Sequence, residues 1–158
     1  MEVAARPADA ATEVGVVAEL ADLAVEELTP LRGGEVWRRE SGRSVPATAS
    51  IAADLDDPDA HVVVGTIDEV PVGYGVVHAV SMRDGSTLGR ITDLFTLPGA
   101  RGVGVGESVM DALVAWSAER GCFGVDSVAL PGDRHTKNFF ESFGLVARAI
   151  VVHRSLGS

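Results

Sequence analysis

Leu94-Phe95-Thr96-Leu97-Pro98-Gly99-Ala100-Arg101-Gly102-Val103-Gly104-Val105-Gly106 passes from an apolar run, through a proline, into a loop with glycine at every second position. Directly after it, Val105, Val109, Leu113 and Trp116 recur every three or four residues, the period of a helix with one buried face. The stretch therefore predicts a strand that ends in a glycine-rich loop at a helix N-terminus. Such a terminus gathers unpaired backbone N–H groups and roughly half a positive charge, which favours a phosphate or diphosphate.

Spacing narrows the ligand. A dinucleotide fingerprint, G-x-G-x-x-G/A, fails because its sixth position falls on Glu107 or Val109. A nucleoside-triphosphate loop needs a Gly-Lys pair, and Lys137 is the only lysine in the chain. What fits is Arg-x-x-Gly-x-Gly, with Arg101, Gly104 and Gly106 at the defined positions and Pro98 three residues ahead of the arginine. An ordinary tight strand-to-helix turn is the plainer alternative for this segment taken alone.

Outward from the loop, the chain reads as strand Val3–Arg6, a long helix from about Ala10 to Leu28, and an irregular or helical stretch over 31–60. Strands His61–Ile67 and Val70–Val80 follow, joined by Asp68-Glu69 as a two-residue turn without the usual glycine. Then come strand Thr87–Leu97, helix Gly106–Arg120, strand Gly124–Leu130, a shorter helix Asp133–Phe143, and a last strand Leu145–His153. This order predicts a single α+β (mixed α/β) domain over 1–158, with a mostly antiparallel central sheet flanked by helices.

Composition sets bounds on function. At 158 residues and 46% hydrophobic, the chain suits one folded domain with a substantial core. Net charge of −10 speaks against nucleic acid and anionic membrane as partners, both of which need a basic face. No apolar run reaches the roughly 18 residues that span a bilayer. The opening residues lack a basic segment followed by an apolar core, so no secretion signal is expected. Cys122 is the only cysteine, which excludes an internal disulfide and a multi-cysteine metal site. No metal is expected, and a cytoplasmic location is the simple reading. Arginine for twelve of the thirteen basic residues points to a GC-rich, bacterial source. Arg32, Arg38, Arg39 and Arg43 fall close together, as a solvated helix face or the lining of an acceptor pocket. The run Asp54, Asp56, Asp57 and Asp59 beside Pro58 reads as a solvated turn.

The loop resembles the acyl-CoA pyrophosphate loop of the GCN5-related N-acetyltransferases (GNAT family), and two further segments extend the likeness. Arg6-x-Ala8-Asp9 is similar to the family's first-strand exit. Asn138-Phe139-Phe140-Glu141-Ser142-Phe143-Gly144-Leu145 resembles its Phe-Tyr-Glu-x-x-Gly-Phe signature. The resemblance implies acetyl-CoA as donor, with Leu94, Phe95 and Thr96 running beside the pantetheine arm as an added strand would. It also implies that Arg101, Gly102, Val103, Gly104, Val105, Gly106 and Glu107 wrap the diphosphate, with Arg101 positioning the loop and the Glu107 side chain turned away. Asp133 stands where the family commonly has a pantetheine-binding asparagine, and Thr136 where it has an alanine. Phe140 stands where it commonly has a tyrosine that protonates the departing thiolate, which phenylalanine cannot do.

The implied reaction is direct attack, in a ternary complex, by a primary amine of a small molecule or a protein N-terminus. An alkylamine with a pKa near 10 must lose a proton before it can attack. Asp93 is the first candidate base and His78 the second; a structural carboxylate is the alternative for Asp93, and a merely packed side chain for His78. Losing the phenol is tolerable because a thiolate with a pKa near 8.5 leaves readily. An acyl-CoA-binding module without catalysis is the competing reading. Trp37 offers an aromatic wall to an acceptor pocket over Leu31–Ser44. The apolar Ala149-Ile150-Val151-Val152 offers a surface for a homodimer.

Overall fold

Residues 1–157 are described by the computed structural model of the chain. Five strands, β1 (Val3–Pro7), β2 (Ala60–Ile67), β3 (Val70–Ser81), β4 (Thr87–Thr96) and β5 (Val125–Ser127), lie side by side in chain order. The first three pairings are antiparallel and β4–β5 is parallel. Helices α1 (Val14–Leu28), α2 (Gly34–Glu40), α3 (Thr48–Asp56), α4 (Val105–Glu119) and α5 (Arg134–Ser142) surround this sheet. Pro7 sits on β1, an edge strand, where its missing N–H leaves no gap in an inner ladder.

α1 begins four residues later than its hydrophobic period predicts. Asp9 Oδ1 accepts the N–H of Ala11, and the Glu13 carboxylate accepts the N–H of Asp9 together with both Arg6 terminal nitrogens. These local bonds hold 9–13 in a turn and compete with helix there. From Val14 onward one stripe (Val17, Ala18, Leu20, Ala21, Ala24, Val25) is buried. α3 is seated by α1, because Asp22 Oδ1 accepts the Ala47 N–H at 2.9 Å. The β2–β3 turn forms as expected, with Asp68 and Glu69 both at positive φ, 47° and 69°. Asp68 also exchanges bonds with Glu2: its N–H donates to the Glu2 carbonyl and its Oδ1 accepts the Glu2 N–H, each at 2.7 Å.

The sheet separates two apolar clusters. On one face α1 and α3 pack over Val62, Val64, Tyr74, Val76 and Phe95. On the other, Val109, Met110 and Leu113 of α4 and Phe140 of α5 pack over Val63, Val77 and Ile91. α4 comes close because β2 and β3 present glycines beneath it. A Cβ on Gly65 would lie 2.6 Å from Val105 Cγ1, and one on Gly75 would lie 2.7 Å from Val109 Cγ1.

Two expected strands differ. The strand over 124–130 is only Val125–Ser127, and that over 145–153 does not form. Leu145 packs at the edge of the α4 cluster and Arg148 pairs with Asp126, but Val146, Ile150, Val151 and Val152 are exposed. Alternation and β-branching report propensity, whereas a strand needs a ladder partner. β5 lies at the end of the sheet, and no outer strand pairs with it among the described residues.

Candidate active site

Strand β4 carries an extra residue. Val76 pairs with Asp93 but Val77 pairs with Ile91, so Thr92 forms a β-bulge. On the other side β5 pairs with Gly89–Ile91 and stops, with the Ser127 hydroxyl donating to the Ile91 carbonyl. From the bulge onward β4 therefore has, among the described residues, a free edge. Leu97 N–H donates to the Val72 carbonyl. By antiparallel alternation Phe95 and Asp93 also bond to β3, while the main-chain groups of Leu94 and Thr96 turn to the free edge. The Thr96 carbonyl indeed accepts from Arg101 Nε, at 2.8 Å.

Below that edge the chain makes a 3₁₀ turn, Pro98–Ala100, and enters α4 through Gly102 and Gly104 at φ 84° and 100°. Positive φ at Gly104 is strained for any residue with a Cβ. Gly104 caps α4 without a side chain, so the first-turn N–H groups are left to solvent or a ligand. Val105 is buried in the sheet interface, whereas Glu107 and Val103 face outward. Arg101 ties the loop down: beyond the Thr96 carbonyl it pairs with Glu27 of α1 at 2.8 Å and lies over the Phe95 ring. A cleft of about 290 Å³ lined by Leu23, Glu26, Glu27, Phe95 and Pro98 opens beside it.

On the α1/α3 face, Asp93 meets more donors than its position in an apolar run suggests. Arg43 donates from Nε to Oδ2 at 2.8 Å and from a terminal nitrogen to Oδ1 at 2.9 Å. The Tyr74 hydroxyl adds a bond to Oδ2 at 2.6 Å and the Thr92 hydroxyl one to Oδ1 at 2.7 Å. Four donors match the roughly four lone-pair directions of a carboxylate. Arg43 also reaches Asp54 Oδ2 at 2.5 Å and the Ser50 hydroxyl at 3.1 Å. Asp54 Oδ1 in turn faces His78 Nε2 at 3.6 Å. Asp54 was expected in a solvated turn; it is instead half-buried, because α3 turns it inward onto Arg43.

Burial works against ionisation of both Arg43 and Asp54, yet their mutual pairing outweighs it. The Arg43 guanidinium is held above its ordinary range by Asp93 and Asp54. The Asp54 carboxyl is held below its own by His78 and Arg43. His78 is raised above 6.5, chiefly by its contact with Asp54. Burial, then the Asp93 charge, pushes the Tyr74 phenol well above 10.

Two residues expected at the donor site are engaged within the protein itself. Asp133 caps α5, with Oδ1 accepting the Thr136 N–H at 3.2 Å and Oδ2 the Thr136 hydroxyl at 2.5 Å. A threonine in place of alanine supplies the second of these donors, the hydroxyl. Phe140 is buried in the α4-side cluster. Its neighbour Phe139 reaches the loop, its ring 3.4 Å from where a Cβ on Gly106 would stand. Trp37 lies against Gly42, and Arg39 pairs along α2 with Glu35. Sequence reasoning missed Phe139 and Glu27. It also missed the inward turn of Arg43, which lies in the non-helical stretch between α2 and α3, eleven residues before Asp54.

The acetyltransferase (GNAT) family model matches residues 17–145. The chain belongs to the GNAT family of acetyltransferases. Solved structures agree with this GNAT acetyltransferase in fold. A tetramutant of the BH1408 protein from Bacillus halodurans superposes with a TM-score of 0.77 at 20% identity, covering 99% of this chain and 100% of that one. AAC(6')-Iy in complex with a bisubstrate analogue, CoA-S-monomethyl-acetylneamine, does so at 0.75 and 18%, over 100% of both chains. The ribosomal-protein-alanine N-acetyltransferase of Brucella melitensis biovar Abortus 2308 gives 0.72 at 15%, over 99% and 100%. A comparison with curated proteins returns no match. No helix of the GNAT chain, among the described residues, is long and apolar enough to cross a membrane.

Proposed function

We propose that the chain moves an acetyl group from acetyl-CoA to a primary amine of a small molecule or a protein N-terminus, by direct attack in a ternary complex. The free edge of β4 beyond the Thr92 bulge carries this reading, because it leaves main-chain groups of Leu94 and Thr96 beside an uncapped helix N-terminus. The residues present fit the donor: Leu94 and Thr96 would bond the amides of the pantetheine arm, with Phe95 behind them. Gly102 to Glu107 would take the diphosphate on backbone N–H groups, with Arg101 fixing the loop and Phe139 beside Gly106. Bound acetyl-CoA supplies an activated thioester whose thiolate is a good leaving group.

Proton transfer falls to His78. Asp93 has its lone pairs filled by Arg43, Tyr74 and Thr92, which suits a structural role. His78 is partly exposed and backed by a carboxylate, so it can take a proton from the amine directly or through one water. In this reading Asp133 and Phe140 take no part in proton transfer. The exposed apolar tail from Val146 to Val152 is the surface through which two copies would associate.

A second reading, an acyl-CoA-binding module, is favoured by one observation: Phe140 is buried, and the sole phenol, Tyr74, donates to Asp93. A thiol-release assay with a broad amine panel, run beside acetyl-CoA titration calorimetry, separates the two. Amine-dependent thiol release above the hydrolysis background is expected. Tight binding without turnover supports the module, and no binding removes both.

A further inference from the structure

We propose that Arg43 is a positioning residue that decides which side chain takes the proton, by closing Asp93 to chemistry and aiming Asp54 at His78. The inference rests on the acetyl-transfer reading above. Its basis is one guanidinium shared by two carboxylates from different elements: Arg43 lies between α2 and α3, Asp54 on α3, and Asp93 beside the β4 bulge. All three side chains are at most 15% exposed. A single cation between two anions leaves the cluster with one uncompensated negative charge, carried toward His78 by the free Asp54 oxygen.

The groups facing His78 are few. Asp54 of α3 is in contact with it, Arg43 lies behind Asp54, and Asp57 follows α3. Across the ladders its neighbours are Ala60 on β2 and Arg90 on β4. With Nε2 facing a carboxylate, the imidazole keeps its proton on Nε2 and offers Nδ1 as acceptor. As the amine nitrogen forms its bond to the acetyl carbon, the proton it sheds passes to Nδ1. The resulting imidazolium neutralises the cluster, and the electron pair of the broken C–S bond departs on sulfur. His78 then returns its proton to solvent. Asp93 could compete for that proton only if Arg43 released it.

The test uses the full chain and its H78Q, D93N, R43Q and R43K variants, each measured for kcat, KM and their pH dependence with acetyl-CoA and the best amine of the panel. Wild-type kcat/KM should rise through one ionisation in the imidazole range. H78Q should lose that limb and about 10²–10⁴-fold of the rate, with acetyl-CoA KM little changed. D93N should keep the limb at whatever rate its fold allows. R43Q, having lost the cation, should move the limb upward. R43K should restore its position but not the full kcat, because an ammonium cannot form the two-pronged bond. Imidazole NMR titration of His78 in R43Q reads the same shift without turnover, so poor activity of that variant does not hide the answer. A pH limb lost in D93N and kept in H78Q overturns the proposal while leaving acetyl transfer standing. So does a His78 titration indifferent to R43Q. Wild-type protein that turns over no amine overturns both.

Discussion

Arg43 and Asp93, fifty positions apart in the chain, form a two-pronged ion pair with N–O distances of 2.8 and 2.9 Å. The pair joins the only irregular stretch between α2 and α3 to the one strand that is bulged on one side and free on the other. Removing one partner strands buried charge. Arg43→Ala should destabilise the fold by about 3–5 kcal/mol, read from the denaturant midpoint at neutral pH. A midpoint unchanged from wild type would show that the pair is not buried in solution.

Two histidines should respond to pH with opposite sign. The folded pKa of His78 is raised by Asp54, so its stabilisation is complete below about 6.5 and is lost as pH climbs through the raised value. His61 stacks on Trp116 with ring centroids 5.5 Å apart, and burial lowers its pKa. Its neutral form is favoured, so stability falls as pH drops below about 6.5. Denaturation of H78Q and H61Q between about pH 5 and pH 8 should therefore show H78Q losing most at the acid end. H61Q should instead flatten the acid-side decline. Identical pH profiles for both variants and wild type would contradict these assignments.

Asp133→Ala should cost about 1 kcal/mol, the value of a lost helix cap. Acetyl-CoA affinity should stay the same, because the Asp133 carboxylate is oriented onto the α5 N-terminus by its two bonds to Thr136. Thermal melts and calorimetry distinguish this outcome from a direct cofactor contact, for which affinity would fall and stability would not.

Gly75→Ala should be destabilising by about 1–3 kcal/mol through overpacking. The added methyl would stand 2.7 Å from Val109 and 2.8 Å from Leu113. Gly85→Ala serves as the comparison for steric crowding, since nothing lies within 4 Å of a Cβ there and only its φ of 88° opposes the change. Equal heat stability of Gly75→Ala and wild type would mean that α4 moves aside freely.

The apolar tail makes a separate forecast. Ile150→Asp and Val152→Asp replace side chains 86% and 88% exposed, so the fold should change by no more than about 0.5 kcal/mol. Light scattering should show wild type as a dimer and the double variant as a monomer. A wild-type monomer at micromolar concentration removes the homodimer.

Legibility in the sequence followed the range of the interactions. The period from Val105 to Trp116 and the glycines around it depend on neighbours within a turn or two, and the loop, α4 and the Asp68-Glu69 turn match their expected places. The Thr92 bulge, the short β5 and the missing outer strand depend on what lies beside each strand, which alternation does not encode. Asp93 could be singled out because a carboxylate on a largely apolar strand needs partners. That one partner would be Arg43, and that this arginine would hold Asp54 as well, is decided by how 41–56 folds back over the sheet. Phe139 and Phe140 illustrate the same limit. Adjacent residues on a helix point about 100° apart, and only the packed structure says which ring is buried deepest.

The end of α4 is located by atoms that are absent. Gly65 and Gly75 let the helix settle onto the sheet, and its first N–H groups come to rest where that approach stops. One methyl on either strand would need the helix to retreat by something on the order of 1 Å, more than the spread of good hydrogen-bond lengths. The helix terminus proposed to take the diphosphate is thus calibrated from beneath, by residues that the diphosphate would never touch.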